Sequence, residues 1–246
     1  MSIIKSSTIA KLLFIGVMIL TFSATAFGIE YRARIDNMEL GRIQVEFTKN
    51  GWISVSEIQY GEKYTIETRT VYGKNGFFEI YEATFKTNGD LVAKILGVNR
   101  AGKTTITLYA YYDPKSPSVK TFTFTEQNIV LLDNNFIIPH FEMLLKMPQP
   151  QFQILIPQAL FNPSKTDKAS GVAQLKRLSE NVYMLSYEGT DIKITTDKSG
   201  IVKMEYNNGI VVERVVQKKS EQVGNTANNP TTKNQQNAQP TSKGGK

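Results

Sequence analysis

The chain has 246 residues, a formal net charge of +7 and no cysteine, which excludes a disulfide framework. The charge lies at the two ends, because residues 1–26 contribute +2 and residues 218–246 contribute +4. Residues 27–217 hold 22 basic and 21 acidic side chains without a basic cluster, which argues against nucleic-acid binding. This central segment of about 190 residues is long enough for a single domain with its own buried core.

The N-terminal segment has the layout of a secretory signal peptide. Two lysines precede an apolar run over residues 12–22, and Ala24 and Ala26 supply the small side chains of a cleavage site. We expect cleavage after Ala26, with Gly28 as the alternative site, and a periplasmic or secreted location in a bacterium. The run is shorter than the about 20 apolar residues of a spanning helix. A retained anchor is the alternative, and it would be the protein's link to a membrane.

Residues 27–217 are predicted to form one mainly β domain. The alternation of Ile43, Val45 and Phe47 with polar residues predicts a strand with one buried face. Asn-Gly pairs then separate runs of β-branched and aromatic residues, which is typical of β-hairpins. We expect roughly ten to twelve strands in a large antiparallel meander, strongly curved or half-barrel in shape. The Asn-Gly pairs are Asn50-Gly51, Asn75-Gly76, Asn88-Gly89 and Asn208-Gly209.

One short helix is predicted at about residues 136–147. Asp133, Asn134 and Asn135 are suited to a structural corner with an Asx-type helix start, and Pro139 is suited to the first turn. Phe141, Leu144 and Leu145 supply an apolar face for this helix.

The C-terminal part of the chain is predicted to contain two hairpins and then a tail. Residues 172–188 are expected to pair with residues 191–196, and residues 200–206 with residues 210–216. Residues 218–246 are rich in Asn, Gln, Lys and other polar residues, so they bury too little apolar surface to fold. We therefore expect a disordered tail.

A phosphate-loop pattern occurs in the middle of the β region. Gly97, Gly102, Lys103 and Thr104 match G-x-x-x-x-G-K-[ST], a loop that binds phosphate where it opens a helix. Residues 104–112 instead alternate and are rich in β-branched and aromatic side chains, which predicts a strand. We therefore expect a hairpin turn here, and neither a bound nucleotide nor another cofactor.

His140 is the single histidine of the chain, and Asp133 precedes it by seven residues. The two are candidates for the general base of a hydrolase and the carboxylate that orients it. No nucleophile-elbow serine and no metal-ligand spacing accompany them, so we expect no metal site. The alternative is that the Asx residues shape the corner while His140 packs or caps on the helix.

Aromatic side chains are abundant, and an aromatic-lined concave sheet is one way to bind an apolar ligand. The same residue types also fill the ordinary cores of β-sheets, so both roles stay open. The candidate ligand-binding residues are Trp52, Tyr109, Tyr111, Phe122, Phe124, Phe136 and Phe141.

The layout of an exported chain with a long meander, a helix after residues 130–135 and late hairpins resembles the curved half-barrel lipid and lipoprotein carriers of the bacterial periplasm. Residues 132–145 also resemble a segment of uncharacterised β-rich exported bacterial families. The resemblance implies a bent sheet around a hydrophobic cavity. The leading hypothesis is therefore a protein that binds or carries an apolar or amphipathic ligand such as a lipid. A structural or assembly factor with an envelope protein partner, and a hydrolase, are the alternatives.

Overall fold

The computed structural model describes residues 28–113, 115–126, 128–132 and 137–216. Within these ranges 15 strands form one sheet, which confirms the predicted mainly β fold. The strands are β1 Ile29–Ile35, β2 Met38–Thr48, β3 Gly51–Tyr60, β4 Glu62–Tyr72, β5 Phe78–Thr87, β6 Asp90–Arg100, β7 Lys103–Ala110, β8 Ser118–Phe124, β9 Val130–Leu131, β10 Gln151–Leu155, β11 Ser170–Ser179, β12 Val182–Tyr187, β13 Thr190–Asp197, β14 Gly200–Tyr206 and β15 Ile210–Arg214.

The sheet consists of two meanders that meet at its centre. Strands β1 to β8 follow one another to one edge, strands β15 back to β9 lead to the other edge, and β1 pairs with β15 between them. Neighbouring strands are antiparallel apart from β9 and β10, which are parallel, and the described strands do not close into a barrel. The predicted strand number is too low, and one of the additional strands arises because residues 172–188 form a hairpin of β11 and β12 where one strand was expected.

The phosphate-loop pattern lies in the hairpin of β6 and β7. Its turn consists of Ala101, with φ of 52°, and Gly102, with φ of 72°. Positive φ at both central residues gives a turn whose twist matches the flanking strands. Gly97 lies within β6, whereas Lys103 and Thr104 begin β7 and pair with the end of β6. These residues therefore belong to a strand-turn-strand unit that opens no helix.

Helix α1, Ile138–Leu145, confirms the predicted helix with shorter bounds. Its N-cap residue is Ile137, which makes no side-chain capping hydrogen bond, and Pro139 occupies the first turn as expected. Two 3₁₀ helices follow, η1 at Pro157–Phe161 and η2 at Pro163–Lys168. Asp133, Asn134, Asn135 and Phe136 lie outside the described residues.

Two apolar clusters fill the concave face of the sheet. The first lies beneath β1 to β3 and β9 to β15, and Phe141 and Leu144 of α1 are fully buried in it. The second lies beneath β5 to β7 and includes Leu160 of η1. Ile129 and Leu131, next to and within β9, also belong to the second cluster. The sheet is therefore curved so strongly that β9, at one edge, packs against β5 to β7 of the other meander.

A buried carboxylate fixes α1 to the sheet. Glu142 is 6% exposed, and its Oε1 accepts hydrogen bonds from the N–H of Ile201 at 3.1 Å and the hydroxyl of Tyr31 at 3.5 Å. Burial and the Glu142 charge raise the pKa of the Tyr31 hydroxyl above its usual range. Gly200 leaves room for this contact, because a Cβ there would lie 2.4 Å from Glu142 Oε1.

Two of the predicted segments cannot be placed in this architecture. The signal peptide at residues 1–26 and the tail at residues 218–246 both lie outside the described residues. Among the described residues, the helices are too short or too polar to span a lipid bilayer.

We expect Gly200→Ala to lower the free energy of unfolding by about 3 kcal/mol or more, because it combines positive-φ strain with a clash against a buried carboxylate. Gly209→Ala is the matched control: its φ is also positive, at +86°, but its nearest neighbour, Ile35 Cγ1, is 4.0 Å away. The control should lose only about 1–2 kcal/mol in urea denaturation. Equal losses in the two variants would contradict the proposed anchor.

Candidate ligand-binding site

The described residues leave a sizeable apolar cavity on the concave face, which we call the trough. It has a volume of about 420 Å³, within the usual range for small-molecule sites. Its walls come from β3 to β6 and η1, at the end of the sheet where the β3–β4 and β5–β6 hairpins turn. The lining residues are Ile58, Tyr64, Ile66, Phe85, Lys86, Thr87, Val92, Ala93, Gln158 and Phe161.

A β-bulge shapes one wall of the trough. Phe85 pairs with Ala93 and Lys86 pairs with Leu91, so Val92 is the extra residue of β6. A bulge bends its strand and redirects the neighbouring side chains. Val92 and Ala93, although adjacent in sequence, therefore both line the trough. The carbonyl of Val92 accepts a hydrogen bond from the N–H of Tyr111 at 2.9 Å, which ties the end of β7 to the bulge.

The opposite wall is the short helix η1. Pro157 fixes the φ angle at its start, and the buried side chain of Leu160 holds it against the second cluster. Phe161 then meets Phe85 edge to face, with ring centroids 6.3 Å apart and an interplanar angle of 79°. This is a favourable aromatic geometry, so the contact between the two rings stabilises the walls of the trough.

The polar side chains in the otherwise apolar lining include Lys86 and Gln158. Lys86 Nζ pairs with Glu67 Oε1 at 2.6 Å, so the ammonium group is neutralised while the aliphatic stem lines the trough. Gln158 donates a hydrogen bond from Nε2 to the Tyr81 hydroxyl at 3.1 Å. Its buried Oε1 has no hydrogen-bond partner among the described residues. The described lining therefore carries no unpaired charge, and the acceptor atom of Gln158 that lacks a partner is itself buried.

The phenylalanine and tryptophan candidates that are described lie in the core and not in the trough. Trp52 and Phe141 are buried in the first cluster, and Phe122 and Phe124 of β8 are half-buried against the second. The ammonium group of Lys146 lies 5.3 Å from the centroid of the Trp52 ring. These side chains contribute apolar packing where they stand.

The tyrosine candidates lie near the trough without lining it. Tyr109 is half-buried in β7 and alternates with the buried Leu108, while Tyr111 packs below Lys94 at 6.0 Å. Phe136 lies outside the described residues. Sequence reasoning missed Phe85 and Phe161, because their contact joins β5 to η1 across a long stretch of chain, which no local sequence pattern reveals.

His140 is buried in the core between the two clusters. It is 1% exposed, its Nε2 is hydrogen-bonded to Thr70 Oγ1 at 3.0 Å, and its ring meets Tyr81 edge-on at 5.4 Å. Its Nδ1 has no hydrogen-bond partner among the described residues. Burial lowers the pKa of the imidazole to about 3, so it is neutral at physiological pH. Asp133 lies outside the described residues, so hydrolysis by this pair stays a prediction.

The chain has a weak structural likeness to a solved structure. The crystal structure of a DUF1089 family protein from Pseudomonas aeruginosa is similar to this chain with a TM-score of 0.45 and 7% sequence identity. The alignment covers 65% of this chain and 86% of that one. No family model matches the sequence, and no curated protein matches it either.

We expect the imidazole C–H resonances of His140 to stay fixed between pH 8 and pH 5 in NMR spectra of the folded protein. The reason is that burial lowers the pKa of the folded-state imidazole to about 3, below its ordinary value of 6.5. As the pH falls, the unfolded chain binds the proton first, so the contribution of His140 to the free energy of unfolding decreases from about pH 6.5 towards pH 3 and is constant above that window. A titration midpoint near 6.5 in the folded protein would contradict the buried, neutral state.

Proposed function

We propose that the protein binds an apolar or amphipathic ligand, with the ligand's hydrocarbon chain in the trough. The observation that carries this proposal is a cavity of about 420 Å³ lined mainly by aliphatic and aromatic side chains. Cavities with an apolar lining and a few placed polar groups are the usual form of a small-molecule site. The trough is therefore a better candidate than the buried surroundings of His140.

The chemistry of the lining favours a chain-like, lipid-type ligand. Each CH₂ group moved from water into such a lining contributes about 0.8 kcal/mol, so a hydrocarbon chain gains affinity without an ionic contact. The cation in the lining, Lys86, is already paired with Glu67. A ligand held mainly by a charged group would have to break that pair. The signal-peptide layout supports a role in the bacterial periplasm or outside the cell.

A second candidate function, an assembly factor of the cell envelope, is favoured by the edge strand β8. Among the described residues β8 is paired on one side only, with β7, and most of its side chains are exposed. An exposed edge can add a strand from a partner protein. Capture of an envelope protein that requires residues 218–246 or the β8 edge would favour this function over ligand transport.

We expect Ala93→Trp to weaken binding of the apolar fluorophore N-phenyl-1-naphthylamine by about tenfold or more, because the indole fills the trough. Lys94→Trp is the matched control: it adds the same side chain at the adjacent, exposed position. The dissociation constants follow from fluorescence titration, and thermal melts establish that both variants fold.

Two results would contradict the proposal. One is equal fluorophore binding by the wild type, Ala93→Trp and Lys94→Trp, which would place the fluorophore elsewhere. The other is native mass spectrometry of the protein purified from envelope extracts that shows no bound lipid, together with no fluorophore binding.

A further inference from the structure

Large apolar side chains are exposed around the mouth of the trough. We call the set Tyr60, Tyr64, Val92 and Tyr112 the rim. Their exposed fractions are 70%, 37%, 39% and 92%. They come from three successive hairpin connections, which follow β3, β5 and β7. Since Tyr64 and Val92 also line the trough, the rim is continuous with the candidate site.

The third of these connections is held at the mouth by the backbone. The N–H of Tyr111 donates to the carbonyl of the bulged residue Val92, so Tyr112 begins directly beside the trough wall. On the first connection, Tyr60 pairs with Glu62 across the β3–β4 turn. The rim tyrosines are thus placed by hairpin geometry at one end of the sheet, although they add little to its core.

The charges around the rim are balanced. Across residues 58–64, 85–94 and 111–119, four lysines stand against three acidic residues. Lys63 is further paired with Glu57 at 3.0 Å and Lys86 with Glu67 at 2.6 Å. An electrostatic partner such as a strongly anionic surface is therefore disfavoured. This composition fits an uncharged partner surface that can accommodate amphipathic aromatic side chains.

We propose that the rim docks this end of the protein onto the polar–apolar interface of a phospholipid bilayer, with the trough opening towards the lipid. Tyrosine is enriched at that interface, where its ring contacts apolar groups and its hydroxyl stays hydrated. Side chains on three separate hairpin connections fit a deformable bilayer surface better than a second copy of the chain. A stable protein interface buries about 800 Å² per partner. The inference rests on the proposed function, which supplies the apolar nature of the ligand. Docking is tested separately from ligand binding.

The absence of cysteine allows docking to be measured at single labelled positions of the full chain. Ser116→Cys lies on the β7–β8 connection beside the rim, and Ser199→Cys lies on the β13–β14 turn at the other end of the strands. Both native side chains are exposed. Each variant carries an environment-sensitive nitrobenzoxadiazole label and is mixed with phosphatidylcholine vesicles, with and without phosphatidylglycerol.

We expect the label at position 116 to brighten and shift to shorter wavelength on every vesicle type, while the label at position 199 does not respond. High salt should leave the response in place. The double variant Tyr60→Ser, Tyr112→Ser should weaken vesicle partitioning by about tenfold, since buried aromatic surface provides the affinity. Leu178→Ser, which removes a 47% exposed side chain at the opposite end, should leave it unchanged.

Several results would overturn the docking proposal. They are no response at position 116, an equal response at position 199, or a double variant that partitions like the wild type. A response that needs phosphatidylglycerol and disappears in high salt would show charge-driven adsorption instead. A dimer in vesicle-free solution that the double variant abolishes would assign the rim to a second copy.

The ligand site and the docking surface can fail independently. Tyr60 and Tyr112 do not line the trough, so their double variant should keep full fluorophore binding, whereas Ala93→Trp should keep the vesicle response. Loss of fluorophore binding in the wild type with an intact response at position 116 would overturn the proposed function alone. The reverse pattern would overturn the docking alone.

Discussion

The structure depends on covering a large concave sheet with very little helix. The single α-helix of the described residues has 8 residues, and it covers only the half of the sheet above the first cluster. The other half is covered by the opposite edge of the same sheet, where Leu131 of β9 and Leu160 of η1 pack beneath β5 to β7. This half of the sheet is covered only as far as β9 and η1 extend across it. Beyond Phe161 the concave face is left open, and the opening is the trough.

Hydrogen bonds inside the core set the position of this cover. Gln158 of η1 donates to the Tyr81 hydroxyl, the Tyr81 ring meets His140, and His140 is hydrogen-bonded to Thr70 of β4. Apolar packing tolerates small displacements of one element against another. A buried polar group that loses its hydrogen-bond partner instead lowers stability by about 1–3 kcal/mol. The series therefore fixes η1 and α1 relative to the same two strands. It also connects the trough floor to the middle of the core.

The sequence predicts the local part of this architecture well and the non-local part poorly. Strand alternation and Asn-Gly turns depend on neighbouring residues, and the helix around Phe141 has its own apolar spacing and proline. The turn between β11 and β12 falls at Glu180 and Asn181, which is a weaker signal, so that hairpin was predicted as one strand. The Val92 bulge lies within one hairpin but cannot be read from strand alternation, and the contacts that place η1 join residues far apart in the chain. The trough is built from these features, so its lining could not be predicted.

The separation of the trough from His140 also decides which chemistry fits the fold. A general base must come within hydrogen-bond distance of the group that it deprotonates. The imidazole is 1% exposed and its Nε2 is engaged by Thr70, with Tyr81 between it and Gln158. A ligand in the trough therefore meets an amide and apolar walls before it meets a base. Those groups can hold and release a hydrocarbon chain without altering it, so the geometry favours binding over turnover.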